Sequence, residues 1–142
     1  MRYAGHLFLP ALLLLAVPAC EPADNTPPAV VSTYPANGAT GVPVNAKTRV
    51  TFSEAMDTAS TEAAFGIAPD IAGTFEWAAN SMYFRPAQDF AAGTAYSVTV
   101  DTTAADAAGN RLDLAPAVGF TTGDATAPPV MVYMLGRSVM GN

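Results

Sequence analysis

Oxygen-bearing side chains gather between residues 101 and 113, where they could bind a hard cation. Calcium prefers several carboxylate and amide oxygens close together, and the candidates for such a site are Asp101, Asp106, Asn110 and Asp113. Their spacing does not match an EF-hand loop. The segment "DAAGN" is equally well explained as a turn in which Gly109 and Asn110 accept unusual backbone angles. Calcium is therefore the only cofactor that the sequence suggests, and this turn is the competing interpretation.

Few side chains in the chain are suited to catalysis. The single histidine, His6, and the single cysteine, Cys20, both precede the predicted domain. A Ser-His-Asp triad, a Cys-His pair and a histidine-ligated metal are thereby excluded from that domain. Two carboxylate pairs remain as candidates for a hydrolase, namely Glu54 with Asp57 and Asp101 with Asp106. Because no large cleft is predicted to hold them, we expect solvated turn residues and a protein that is not an enzyme.

The N-terminus has the pattern of an export signal. Arg2 is followed by an apolar run of 11 residues from Leu7 to Val17. This run is too short to span a bilayer, which needs roughly 20 apolar residues, but it suits the h-region of a secretory signal. The protein is therefore predicted to leave the cytoplasm.

The end of that run resembles the lipobox of bacterial lipoproteins, with Val17 and the small Ala19 directly before Cys20. The resemblance implies that residues 1–19 are a lipoprotein signal peptide and that the thiol of Cys20 is joined to diacylglycerol, with acyl chains as the membrane anchor. Pro18 departs from the pattern, because alanine or serine is usual there. The alternative is an ordinary secretory signal, since "VPA" also fits that cleavage.

Charge narrows the choice of partners. The formal net charge is -6, and without Arg2 five basic residues face 12 acidic ones. Nucleic acid is excluded as a partner because no basic cluster is present.

Residues 20–28 contain three prolines and are predicted to be an extended tether. By the lipoprotein resemblance, Glu21 after the cysteine favours the outer membrane.

From Ala29 the apolar residues alternate with period two, which predicts strands. The clearer strands are "TRVTFS", "GTFEWA", "SMYFRP", "AYSVTVD" and "AVGFTT", and the weaker ones are "AVVSTY" and "AAFGIA". Turn signals such as "ANGATG", "AANS" and "AAGN" separate them. About seven short strands predict an all-β antiparallel sandwich, in which Phe52, Trp77 and Phe84 are structural residues and Trp77 is buried. One helical turn is predicted at "STEAA", capped by Ser60 or Thr61.

Tyr96 stands at the head of a predicted strand after "FAAGTA". This arrangement resembles the tyrosine corner of Greek-key sandwiches, in which the tyrosine hydroxyl bonds to the backbone a few residues upstream. The alternative is a half-buried aromatic side chain without that bond.

Several motifs, taken in order, resemble the bacterial Ig-like domains of the S-layer SbsA type. They are "YPANGATGVPVN", "VTFSEAMD", "MYFRP", "GTAYSVTV", "DAAGN" and "FTTGD", and they cover about residues 27–124. Ala55 departs from the pattern, because a proline commonly follows the Ser-Glu pair. The resemblance implies an Ig-like β-sandwich at residues 29–124 that acts as a surface-exposed spacer or adhesive module, and it supplies no catalytic residues.

The tail repeats the start of the domain. Thr126, Pro128 and Val130 match Thr26, Pro28 and Val30 at an offset of 100 residues, close to the length of one Ig-like domain. Residues 125–142 are therefore predicted to be a linker and the start of an incomplete second repeat, with coincidence as the alternative. The apolar segment 129–135, "PVMVYML", is predicted to drive self-association through an unpaired strand edge.

Together these observations predict a non-enzymatic lipoprotein of the cell envelope, anchored at Cys20, whose domain is a structural, spacer or adhesive module. Envelope proteins or polysaccharide are its expected partners. The alternative is a carbohydrate- or protein-binding accessory module of a larger exported enzyme. An exposed aromatic platform would favour sugar binding, whereas most aromatic residues here are predicted to face the core.

Overall fold

The computed structural model describes residues 23–124, which fold as two four-stranded β-sheets. The predicted signal peptide, Cys20 and the segment 129–135 lie outside the described residues. The elements in chain order are β1 (Val30–Tyr34), β2 (Ala39–Val42), β3 (Thr48–Phe52), α1 (Thr58–Ala63), β4 (Phe65–Ala68), β5 (Gly73–Ala78), β6 (Ser81–Pro86), β7 (Ala95–Val100) and β8 (Ala117–Thr122). The strand order is β1-β3-β6-β5 in the first sheet and β2-β8-β7-β4 in the second. The predicted all-β sandwich is confirmed.

Alternation of burial along the strands explains why the two sheets stack. In β7, Tyr96, Val98 and Val100 are buried while the residues between them are exposed. In β3, Val50 and Phe52 are buried and Arg49 faces away from the core. Because successive side chains of a strand point to opposite faces, each sheet has one apolar face, and these two faces form the core.

Strand β2 was not predicted, since "ANGATG" was interpreted as a turn. Ala39–Val42 instead pairs in parallel with β8, which gives eight strands rather than about seven. Its bonds come from residues distant in sequence: Gly38 N donates to Gly119 O at 2.7 Å, and Gly123 N donates to Val42 O at 2.9 Å. A strand held by such contacts needs no local alternation of apolar residues.

Helix α1 begins earlier than predicted, and its N-cap is Asp57 rather than Ser60 or Thr61. An oxygen of the Asp57 side chain accepts a hydrogen bond from Ser60 N at 2.8 Å. The hydroxyls of Ser60 and Thr61 donate to the Asp57 carbonyl at 3.2 and 2.7 Å. These two hydroxyls are therefore bonded within the first turn, and the Asp57 side chain satisfies the free amide of Ser60.

The core contains Phe52 and Phe84, which are 2% and 4% exposed. Phe84 stacks on Phe65 of the opposite sheet with ring centroids 4.9 Å apart. Trp77, which was predicted to be buried, is only half-buried. It lies on the edge strand β5, where one side of the indole packs on Phe52 and the other faces outward.

Within residues 23–124, no helix has the length and apolar character needed to cross a bilayer. The end of the predicted tether contacts the domain: Pro28 is buried, its carbonyl accepts from Asp113 N at 3.2 Å, and the Asp24 carbonyl accepts from the Asn110 side chain at 3.1 Å. The chain therefore enters the sandwich beside the loop that precedes β8.

Candidate functional site

Tyr96 lies in the core at the start of β7, and its hydroxyl reaches the backbone upstream. The oxygen accepts a hydrogen bond from Ala91 N at 3.0 Å. The ring packs on Phe90 and Phe120, with centroids 4.7 and 5.7 Å away. This geometry is that of the tyrosine corner, so the residue holds a loop in place and is not free to contact a ligand.

Asp106 is buried, and its carboxylate organises the loop between β7 and β8. One oxygen accepts from Ala108 N and from Asn110 N, both at 2.8 Å, and the other accepts from the Asn110 amide at 2.8 Å. Desolvation opposes ionisation, but these bonds hold the pKa of the Asp106 carboxyl below its ordinary value. Gly109 has φ 94° as the turn interpretation requires, whereas Asn110 is not among the residues with positive φ.

The four calcium candidates do not converge on one point. Among the described residues, the carboxylates close enough to share a cation are those of Asp24, Glu54 and Asp106. Asp101 instead accepts a hydrogen bond from Thr103 N at 2.9 Å, and Asp113 is not a member of the cluster. The acidic cluster is therefore assembled from the tether, the end of β3 and the β7–β8 loop.

Among the predicted carboxylate pairs, Asp57, Asp101 and Asp106 accept hydrogen bonds that organise the backbone, whereas Glu54 belongs to the acidic cluster. Asp57 caps α1, and the hydrogen bonds from Ser60 lower the pKa of the Asp57 carboxyl. Partial burial, together with the neighbouring carboxylates of Asp24 and Asp106, raises the pKa of the Glu54 carboxyl. Within residues 23–124 there is also no histidine or cysteine to act with them.

The outer face of the first sheet carries a row of four side chains that crosses every strand. The register pairs Tyr34 of β1 with Arg49 of β3, Arg49 with Tyr83 of β6, and Tyr83 with Glu76 of β5. Residues directly opposite each other in an antiparallel pair point to the same side of the sheet. The row therefore presents two tyrosines with an arginine between them, away from the core.

The positive charges on this face are not equally neutralised. Lys47 Nζ lies 2.9 Å from one oxygen of Glu76, and an Arg85 nitrogen lies 3.8 Å from the other. The hydrogen bond and charge of Lys47 hold the pKa of the Glu76 carboxyl below its ordinary value. Arg49 forms no ion pair within residues 23–124, and its Nε is buried without a hydrogen-bond partner.

A shallow cleft of about 430 Å³ lies along this row. We call its polar lining the tyrosine–arginine face and define it by Tyr34, Lys47, Arg49 and Tyr83. Tyr34 is 47% exposed, so its ring is accessible from solvent.

Sequence reasoning missed this face, although part of the signal was present. Alternation within "TRVTF" and "SMYFRP" already directs Arg49 and Tyr83 away from the core. Their alignment with Tyr34 depends on the register of three strands, and the periodicity of one strand does not contain that information.

A known protein family and several solved structures resemble this chain. The profile of a bacterial Ig-like domain family matches residues 24–122. An L,D-transpeptidase from Mycobacterium smegmatis is similar, with a TM-score of 0.53 and 29% identity over 69% of this chain and 41% of that chain. L,D-transpeptidase 1 from Mycobacterium tuberculosis has a TM-score of 0.52 and 32% identity over 69% of this chain and 40% of that one. The chain thus spans about two fifths of these transpeptidases.

Domains 1–6 of the surface layer protein SbsC are similar at a TM-score of 0.48 and 19% identity, over 70% of this chain and 14% of that chain. This similarity is too low to support a functional comparison. A search of curated proteins found no significant match.

Proposed function

Because this chain belongs to a family of bacterial Ig-like domains, we propose that it is a non-enzymatic module of the cell envelope that acts as a spacer or adhesive unit. The observation that carries the proposal is the extent of the family match. Residues 24–122 include all eight strands and α1, so the described part of the chain is one Ig-like sandwich.

The absence of histidine and cysteine from residues 23–124 supports a non-enzymatic role. The buried carboxylate of Asp106 is occupied by hydrogen bonds from its own loop, and the Tyr96 hydroxyl is occupied by Ala91 N. Three of the four carboxylates that the sequence suggests for chemistry, Asp57, Asp101 and Asp106, therefore accept hydrogen bonds in turns or at a helix end.

A lipid on Cys20 is the proposed anchor. The support is the apolar run from Leu7 to Val17 followed by Ala19 and Cys20, which by the lipoprotein resemblance also favours the outer membrane. Two or three acyl chains on Cys20 would hold the domain at a membrane without a membrane-spanning segment.

Metabolic labelling with a clickable fatty acid tests the anchor. We expect label on the parent chain and on the control Pro18→Ala, which restores the more usual residue of the motif. We expect no label on Cys20→Ser and its release from the membrane fraction. Equal labelling of Cys20→Ser and the parent would refute the anchor.

The second candidate function is an accessory module of a larger exported enzyme. It is favoured by the likeness to L,D-transpeptidases, of which this chain covers 40–41%. An antibody against the domain distinguishes the two on immunoblots of native cells. A band somewhat below the 14.6 kDa of the 142 residues, as removal of residues 1–19 requires, supports the separate module, and a much larger band supports the accessory role.

A further inference from the structure

We propose that the tyrosine–arginine face binds an acidic polysaccharide, a glycan chain whose sugar rings carry carboxylates. This ligand deepens the proposed function and rests on its adhesive form, because an adhesive unit needs a ligand whereas a spacer does not. Three features of the first sheet carry the proposal: the distribution of charge, the unpaired Arg49, and the spacing of the two tyrosines.

Positive charge is concentrated on this one face of an acidic domain. Residues 23–124 contain four basic side chains against eleven acidic ones. Three of the four, Lys47, Arg49 and Arg85, lie on or beside the outer face of the first sheet. An anionic ligand is therefore repelled by most of the surface and attracted here.

Arg49 is the cation on this face that still lacks an anion. Glu76 is shared by Lys47 and Arg85, whereas the Nε of Arg49 is buried without a hydrogen-bond partner. Because Nε is enclosed, a ligand in the cleft contacts the outer guanidinium nitrogens of Arg49, which form no ion pair or hydrogen bond within residues 23–124. A carboxylate suits this position because the planar guanidinium donates two parallel hydrogen bonds to its two oxygens.

The two tyrosines select a sugar rather than a simple anion. Tyr34 and Tyr83 lie on strands separated by β3, so their backbones are roughly 9.5 Å apart, which is two inter-strand spacings. Aromatic rings pack against the apolar faces of pyranose rings, and the tyrosine hydroxyls can bond to sugar hydroxyls. Two aromatic contacts with a carboxylate site between them match a chain of successive uronic acids.

An acidic peptide would also satisfy Arg49 but would not use the rest of the face. Its side chains offer no succession of flat ring faces to the tyrosines. The cleft also crosses the sheet from β1 to β6, and the strands beneath its centre, β3 and β6, are paired on both sides, so a peptide cannot add to them as a further strand. The observations therefore favour the polysaccharide, and the peptide becomes an outcome of the test.

Calorimetric titration of the purified full chain with polygalacturonate tests the ligand class. Fully methyl-esterified polygalacturonate is the matched control, since it keeps the sugar backbone and removes the charge. Poly-glutamate represents the acidic peptide. We expect saturable binding of polygalacturonate that weakens as salt is added, and no binding of the esterified polymer.

Variants locate the site. Arg49→Gln and Tyr34→Ala should each weaken binding at least about tenfold, the value of one charge-assisted hydrogen bond or aromatic contact. Arg49→Lys should keep part of the affinity. Arg111→Gln removes a basic residue outside this face and should change nothing. Circular dichroism and thermal unfolding of each variant verify the fold, which Tyr34→Ala should keep because Tyr34 is exposed.

Four results would overturn the proposal: no binding of polygalacturonate at low salt, equal binding of its esterified form, unchanged affinity of Arg49→Gln, or binding of poly-glutamate as tight as that of polygalacturonate. The titration contains no membrane, so its failure leaves the proposed anchor and spacer role intact. Conversely, a parent chain that takes up no fatty-acid label would refute the anchor and leave this binding site intact.

Discussion

The indole nitrogen of Trp77 donates a hydrogen bond to a carboxylate oxygen of Glu62 at 2.7 Å. This bond joins the edge strand β5 to helix α1, two elements that the sequence separates by the whole of β4. It also explains why the half-buried indole keeps a fixed position against Phe52.

We expect Glu62→Ala to lower the free energy of unfolding by about 1–2 kcal/mol, because the bond to a charged acceptor is lost. Glu62→Gln should lose less, since its amide oxygen can still accept. Denaturant unfolding followed by Trp77 fluorescence measures both, and Trp77 is the only tryptophan of the chain. Equal stability of Glu62→Ala and the parent would show that the bond contributes nothing.

Tyr96→Phe should also destabilise the domain by about 1–2 kcal/mol, because Ala91 N loses its acceptor while the ring packing is kept. Tyr83→Phe removes the same hydroxyl from the outer face, and we expect it to stay within about 0.5 kcal/mol of the parent. Thermal and denaturant unfolding of the two variants are compared. A larger loss in Tyr83→Phe than in Tyr96→Phe would contradict the role of the corner.

Asp57→Ala should lower the unfolding temperature at neutral pH, because it removes the cap of α1. The folded state lowers the pKa of this carboxyl below 3.8, so its contribution is present above that value and disappears as the pH falls through the lower folded pKa. The two proteins should therefore converge in strong acid. Asp70→Ala, which removes an exposed aspartate, is the control, and a difference from the parent that persists unchanged at low pH would argue against the cap.

Glu54→Gln should raise the unfolding temperature at neutral pH. The folded state raises the pKa of this carboxyl above 4.5, so its ionised form costs stability at higher pH. The cost fades as the pH falls and the group takes up its proton. The gain of the variant should therefore shrink in acid. The melts are run in EDTA so that no cation screens Asp24 and Asp106, and a less stable Glu54→Gln under these conditions would refute the prediction.

Most of the fold was predictable from local alternation of apolar residues. The bounds of β5, β6 and β8 agree with the predicted segments, because "GTFEWA", "SMYFRP" and "AVGFTT" each alternate within their own length. Strand β2 escaped prediction since its partner β8 lies about 80 residues away and supplies the bonds. Trp77 was predicted to lie in the core because the alternation within "GTFEWA" turns this large side chain inward. Its partial exposure instead follows from the position of β5 at the edge of the sheet.

The tyrosine–arginine face was also predictable only in part. Periodicity directs Arg49 and Tyr83 outward, whereas the row with Tyr34 and Glu76 exists only once four strands are in register. Of the acidic calcium candidates that are close in sequence, only Asp106 belongs to the carboxylate cluster, whose other members come from the tether and the end of β3.

The parallel pairing of β2 with β8 has a mechanical consequence. The chain enters beside Asp113 at one end of the sandwich and leaves after Gly123 at the other. A pull on the two ends therefore acts first on β1 through its pairing with β3, and then on β2 against β8. The bonds beside β2, including that from Gly38 N to Gly119 O and that from Gly123 N to Val42 O, are then loaded in shear and share the force. Strands that are peeled apart break one bond at a time, whereas strands loaded in shear resist tension applied between the two ends of residues 23–124.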